Sequence, residues 1–192
     1  MKRRWNFLGP NHGLVITTIM DLPAIPFQYS LAVEREYVVK MRLDPAKVSP
    51  AAYQAMLRLE SFVNKSSKLE VFLLELVRMR ASQINGCAFS IDMHSKDARM
   101  NGETEQRLYA LSAWRETTFF TNRERAALAW TEALTLITEG RAPDEVYADV
   151  RKEFGEEGLV NLSLAIITIN GWNRFAIGFR MLPGEYQPHK IG

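Results

Sequence analysis

This chain predicts an all-α array over residues 41–182, and three observations carry that expectation. From Met41 onward apolar residues recur at helical spacing and keep it. Start and stop signals bracket the periodic runs: Ser49-Pro50, Thr121 with Glu124, and Pro143 at the starts, Gly86, Gly102 and Pro183 at the ends. No repeat, low-complexity tract or linker interrupts them, so one domain is expected, and 192 residues suffice to bury a core.

Each element has its own signals. In "SPAAYQAMLRLESFVNK" Ser49 stands as N-cap and Pro50 at the first helical position. Tyr53, Met56, Leu57 and Leu59 to Val63 suit one buried stripe. "LEVFLLELVRMRASQ" is apolar enough to be buried on most sides. Asn85-Gly86 breaks it, and Cys87 opens the next helix, which runs to Asn101-Gly102. "TEQRLYALSAW" reads as a shorter helix. "TNRERAALAWTEALTLIT" opens with a capping box from Thr121 to Glu124, and "APDEVYADVRKEF" places Pro143 in its first turn. The last helix runs from about Glu156 to Phe179, and residues 183–192 read as a loose tail. Trp114, Phe119, Phe120, Trp130, Trp172 and Phe175 sit at helical spacing, which suits a core or a subunit interface.

Residues 1–40 differ from the rest: they carry Pro10, Pro23 and Pro26, many β-branched residues and no sustained 3.6 period. Two readings stand for them. They are an upstream extension, with Met41 as the physiological start, or an N-terminal arm packed on the domain or on a neighbouring subunit. The basic start is broken by Gly9-Pro10-Asn11, and "LVITTIM" is short for the apolar core of a signal peptide. No run reaches the roughly 20 apolar residues of a membrane span.

Composition narrows the function classes. With 47% hydrophobic and 24% charged residues the chain is ordinary for a globular protein. Its net charge of +2 is spread without a basic block, so neither a nucleic-acid nor a membrane partner is expected. One cysteine allows no internal disulfide framework and fits a reducing, cytoplasmic setting. No glycine-rich phosphate loop is present; Gly86, Gly102 and Gly140 mark helix ends. One Cys and one His at i, i+7, with His12 and His189 in the chain's ends, make a poor ligand set. The sequence therefore points to no metal and no nucleotide cofactor.

The chemistry gathers in one stretch, "QINGCAFSIDMHSKDARMNG". Cys87, Ser90 and His94 fall at i, i+3 and i+7, on one helix face. Glu75 lies twelve residues before Cys87, and a turn at Asn85-Gly86 folds its helix back beside that face. A cysteine at a helix start meets unpaired N–H groups and the positive dipole end, which favour a thiolate. His94 suits a general base near neutral pH, with Glu75 orienting it. Taken singly, each residue also has a plain use, a small buried hydrophobe for Cys87 or a satisfied polar group for His94.

The segment "ELVRMRASQINGCAFSIDMHSKDAR" closely resembles the AhpD-like alkylhydroperoxidases of the carboxymuconolactone decarboxylase family. Their signature is a Glu, eleven residues, Cys-x-x-Cys, three residues and a His. Those positions here are Glu75, Cys87, Ser90 and His94. The flanks "RLDPAKVSPAAYQAMLRLESFV", "LSAWRETTFFTNRERAALAWTEALT" and "NRFAIGFR" are similar too, so the resemblance covers about residues 41–182. It implies an all-helical fold that assembles into dimers, trimers or hexamers. It also implies that a cysteine at the position of Ser90 attacks peroxide, that Cys87 resolves the product into a disulfide, and that His94 and Glu75 relay protons. Ser90 removes the usual two-cysteine cycle.

Three functions are compatible with these residues. The first is a thiol-dependent peroxidase that uses Cys87 alone on a hydroperoxide, with a small thiol or partner protein as reductant. The second is proton transfer by Glu75 and His94 on a small organic acid, with Ser90 hydrogen-bonding the substrate and Arg78, Arg80 or Arg99 binding its carboxylate. The third is a family member that keeps the fold without the chemistry.

Overall fold

The computed structural model describes residues 39–188, so all but the last two residues of the expected arm lie outside the described residues. From Pro45 onward the chain is built of α-helices, with no strand among the described residues. Helices α1 (Pro45–Val48), α2 (Pro50–Lys65), α3 (Val71–Asn85) and α4 (Ala88–Met100) come first. Then come α5 (Glu105–Ala110), a 3₁₀ turn (Leu111–Glu116), α6 (Asn122–Thr135), α7 (Ile137–Gly140) and α8 (Asp144–Phe179).

The termini show why the chain breaks where it does. Asp44 caps α1, accepting from Ala46 N at 3.0 Å and Lys47 N at 3.4 Å. Ser49 holds the N-cap position of α2, yet its side chain makes no capping bond. The box at Thr121 and Glu124 is closed in both directions. Gly86 ends α3 at φ 67°, ψ 33°, left-handed backbone that suits glycine, and turns the chain back into α4. The last two expected helices form one element, α8, bent where Gly155 takes φ 67°, ψ −177°.

Helix α3 is the hub, and its stripes face different partners. Leu73 and Val77 join Ala127, Trp130, Val150, Leu162 and Ile166 of α6 and α8 in one cluster. Leu76 and Met79 meet Leu108, Leu111, Trp114 and Leu128 in a second. Leu74 packs with Val63 of α2 and Ala165 of α8. A helix packed all round buries its polar residues as well. Glu75, Arg78 and Ser82, at i, i+3 and i+7, form a fourth stripe, each 5% exposed or less. That stripe is the floor of the site.

Three expectations from the sequence need correction. The α2 stripe is not buried as a whole: Leu57, Leu59 and Phe62 are exposed, and Val63 alone of the helix is buried. Helix α2 lies at the edge of the array, held by α8 and α1, so one face is enough. The run "TEQRLYALSAW" is not one helix; it tightens into the 3₁₀ turn, with Ala113 out of helical geometry. The tail is not loose as far as Tyr186. Gly184 N donates to Asp92 Oδ2 at 3.0 Å, and Lys96 Nζ donates to the carbonyl of Tyr186 at 3.0 Å.

Candidate functional site

The turn at Gly86 lays α4 against α3, so the polar stripes of the two helices face each other. Glu75 Oε2 and His94 Nδ1 are 2.9 Å apart, and both residues are buried. Arg78 Nη1 donates to the other oxygen of Glu75 at 2.7 Å. Burial pushes the Glu75 carboxyl up, but His94 and Arg78 outweigh it and hold the group below the usual carboxylate range. His94 makes no further hydrogen bond among the described residues, so Nε2 is its working nitrogen.

Ser90 is held from behind. Asn173 Nδ2, from α8, donates to Ser90 Oγ at 3.0 Å and to Ser82 Oγ at 3.1 Å. The amide cannot be the other way round, because Asn85 Nδ2 donates to Asn173 Oδ1 at 2.8 Å. Cys87 Sγ donates to the same Ser90 Oγ at 3.1 Å. Both lone pairs of that oxygen are therefore taken, and its proton has no acceptor among the described residues. The open direction is a cavity of about 400 Å³ lined by Ser90 and His94.

Tyr53, Phe89, Trp172 and Tyr186 supply aromatic walls to this cavity, and Glu60, Arg78 and Asp97 also reach it. Cys87 does not: it is 1% exposed, stands at the N-cap of α4 and lies behind Ser90. A second hollow of about 430 Å³, beside Arg115, Arg125 and Lys152, shares no lining residue with the first and none of this chemistry.

All four residues expected from the sequence thus meet: Glu75 with His94, Cys87 with Ser90. The arginines do not serve as expected. Arg80 turns to Glu132 and Arg99 to Glu105, away from the cavity. Arg78 reaches the cavity but is paired with Glu75, with Glu60 at 2.5 Å and with Asn64 at 2.5 Å. The groups that could ligate a cation are not Cys87 with His94 but Glu75, His94 and Asp97, which each offer an atom within 4.8 Å of one another. Both oxygens of Glu75 are engaged, however, and the Arg78 charge opposes a cation bound directly to it.

Sequence reasoning missed Asn173, Asp97, Trp172 and Tyr186. Asn170 and Asn173 gave a readable signal, two amides at i, i+3 in an apolar helix. Asp97 follows His94 on the same face of α4. Tyr186 gave none, since its place depends on the docked tail, where its hydroxyl donates to Asp97 Oδ1 at 2.8 Å.

Known proteins share the sequence and fold of this chain. Residues 50–133 match the carboxymuconolactone decarboxylase family. An uncharacterized protein of Bacillus subtilis, YdfG, is 45% identical over 139 residues, 72% of this chain and 94% of its own length. A solved structure of a protein of unknown function from Agrobacterium tumefaciens, provisionally named antioxidant defence protein AhpD, is 44% identical. It superposes with a TM-score of 0.74, covering 77% of this chain and all of that one. The debrominase Bmp8 shares the fold at 17% identity, with a TM-score of 0.62 over 72% of this chain and 74% of its own.

Proposed function

The chain belongs to the AhpD-like carboxymuconolactone decarboxylase family, and from that footing we propose that it catalyses proton transfer on a small organic carbonyl compound. One observation carries the reading: the carboxylate-held His94 and the hydroxyl of Ser90 line the cavity, whereas Cys87 does not.

The roles follow from the geometry. Glu75 accepts a hydrogen bond from Nδ1–H of His94, which leaves Nε2 as a base toward the cavity. A substrate carbonyl at Ser90 receives the hydroxyl proton as a hydrogen bond, and that bond strengthens as negative charge grows on the oxygen. Asn173 holds the Ser90 oxygen from behind and so aims the hydroxyl at the cavity. Ser90 acts here as a donor, because no base in hydrogen-bond contact takes its proton.

Thiol chemistry is the second reading, and one distance favours it: Cys87 Sγ is 3.1 Å from an atom that lines the cavity. It requires the sulfur to reach a hydroperoxide through or around Ser90, and at 1% exposure the sulfur is enclosed.

The test is proton NMR of 4-phenyl-2-butanone in D₂O with catalytic amounts of protein. Loss of the α-proton signals is expected with the unmodified protein and with Cys87→Ala. His94→Ala is expected to slow it by about 10²–10⁴-fold, the usual contribution of a general base. If no uncharged ketone exchanges, or if Cys87→Ala removes the activity, the reading fails.

A further inference from the structure

The charge of the cavity points away from the organic acids that the sequence suggested. Three carboxylates reach it, Glu60, Glu75 and Asp97, against one guanidinium, Arg78. Three of the five N–H donors of Arg78 go to Glu75, Glu60 and Asn64, and its single charge is already shared by two carboxylates, so it offers no net positive charge to a ligand carboxylate. Glu60 is spent as well: it accepts from Arg78, from Asn64 Nδ2 at 3.3 Å and from Trp172 Nε1 at 3.0 Å.

Asp97 is different. It is half-buried, Tyr186 occupies only Oδ1, and no donor faces Oδ2 among the described residues. Burial, with the charge of Glu75, pushes its carboxyl up and outweighs the Tyr186 hydrogen bond and the pull of His94 and Arg78. Asp97 shares its cavity with four aromatic residues, Tyr186, Phe89, Tyr53 and Trp172, the last two packed edge to face at 5.2 Å. Carboxylate oxygen among aromatic rings is the environment that an organic cation prefers.

Resting on the reading of this cavity as the substrate site, we propose that it takes an organic ammonium ion bearing an apolar group, with the cation on Asp97, and that it rejects carboxylates. Ser90, His94 and Asp97 lie at i, i+4 and i+7 along α4, spanning about 10 Å of helix. The ammonium occupies one end of the site, the hydrogen-bonded carbonyl oxygen the other, and the base stands between them. Asp97 is thereby the residue that sets charge specificity.

Isothermal titration compares phenethylammonium with 3-phenylpropanoate, two probes of similar size and opposite charge, at matched ionic strength. Binding of the ammonium alone is expected. Asp97→Asn is expected to weaken it about tenfold or more, the loss of one charge-assisted bond. Cys87→Ala, outside the cavity lining, is expected to retain it. Binding is read without turnover, which separates this proposal from the catalytic one: exchange chemistry can fail while the charge preference stands, and the reverse. Should Asp97→Asn not fold, the unmodified protein decides, because its affinity for the ammonium must fall as sodium chloride is raised. Equal or tighter binding of 3-phenylpropanoate, binding of neither probe, an unchanged affinity in Asp97→Asn, or insensitivity to salt overturns the proposal.

Discussion

Glu75 and His94 meet at 2.9 Å across the α3–α4 interface, and the same carboxylate holds the buried guanidinium of Arg78 on its other oxygen. One side chain thus serves as base-orienting partner and as counter-ion. Glu75→Ala leaves Arg78 with Glu60 and Asn64 and frees the His94 ring. Urea denaturation is expected to show a loss of about 3–5 kcal/mol, the usual result of breaking a buried pair. Glu75→Gln, which keeps the shape, is expected to lose less stability while still slowing ketone exchange.

Ser90 Oγ gives a second expectation. Asn173→Ala removes the amide that holds it from behind and leaves Ser82 and Asn85 with one partner fewer. A stability loss of about 1–3 kcal/mol is expected for the buried groups left unpaired, together with slower exchange. Asn173→Asp restores the oxygen partner of Asn85 but no donor to Ser90, so stability and rate separate in that variant.

Gly155 tests the backbone. A methyl group there meets nothing within 4 Å, so space alone makes Gly155→Ala harmless. Its φ of 67° with ψ of −177° is a region almost reserved for glycine. The substitution is expected to cost about 1–3 kcal/mol in chemical denaturation, by strain and not by clash.

The carboxylates of Glu75, Glu124 and Glu132 set the response to acid. Burial raises each, but ion pairs and hydrogen bonds outweigh it and leave all three below the ordinary value. A depressed folded value gives stability that is full above the unfolded value, about 4.3, and is lost as pH falls through the folded one. Unfolding free energy is therefore expected to hold down to about pH 5 and to fall steeply below about pH 4.

Asp97 has the opposite sign. Its raised folded value means a contribution present below the unfolded value of about 3.9 and lost as pH rises through the folded one. Asp97→Asn keeps the acceptor for Tyr186 and is expected to raise Tm at pH 7, the gain vanishing toward pH 4. Calorimetry at the two pH values measures it.

Much of this was legible in the sequence, for local reasons. The Thr121–Glu124 box, the Gly86 turn and the pairing of Glu75 with His94 depend on spacing within one or two helices, which a sequence states directly. The expectation for α2 failed because periodicity gives a helix its face but not the number of neighbours it meets. The reach of Arg78 was visible, but its pairing with Glu60 and Asn64 was not, because those residues come from another helix. Tyr186 stayed hidden because a tail without periodicity carries no sign of where it docks.

The central claim is that this site works through His94 and Ser90 and not through the sulfur of Cys87. Stopped-flow consumption of cumene hydroperoxide by the reduced protein tests it most directly, with Ser90→Cys measured alongside. The unmodified protein is expected to consume none. Ser90→Cys, with a thiol facing the cavity and Cys87 behind it, is expected to consume about one equivalent and close a disulfide, releasing the alcohol and water. Consumption of an equivalent by the unmodified protein, with Cys87 recovered as its sulfenic acid, would contradict the account and return the site to thiol chemistry.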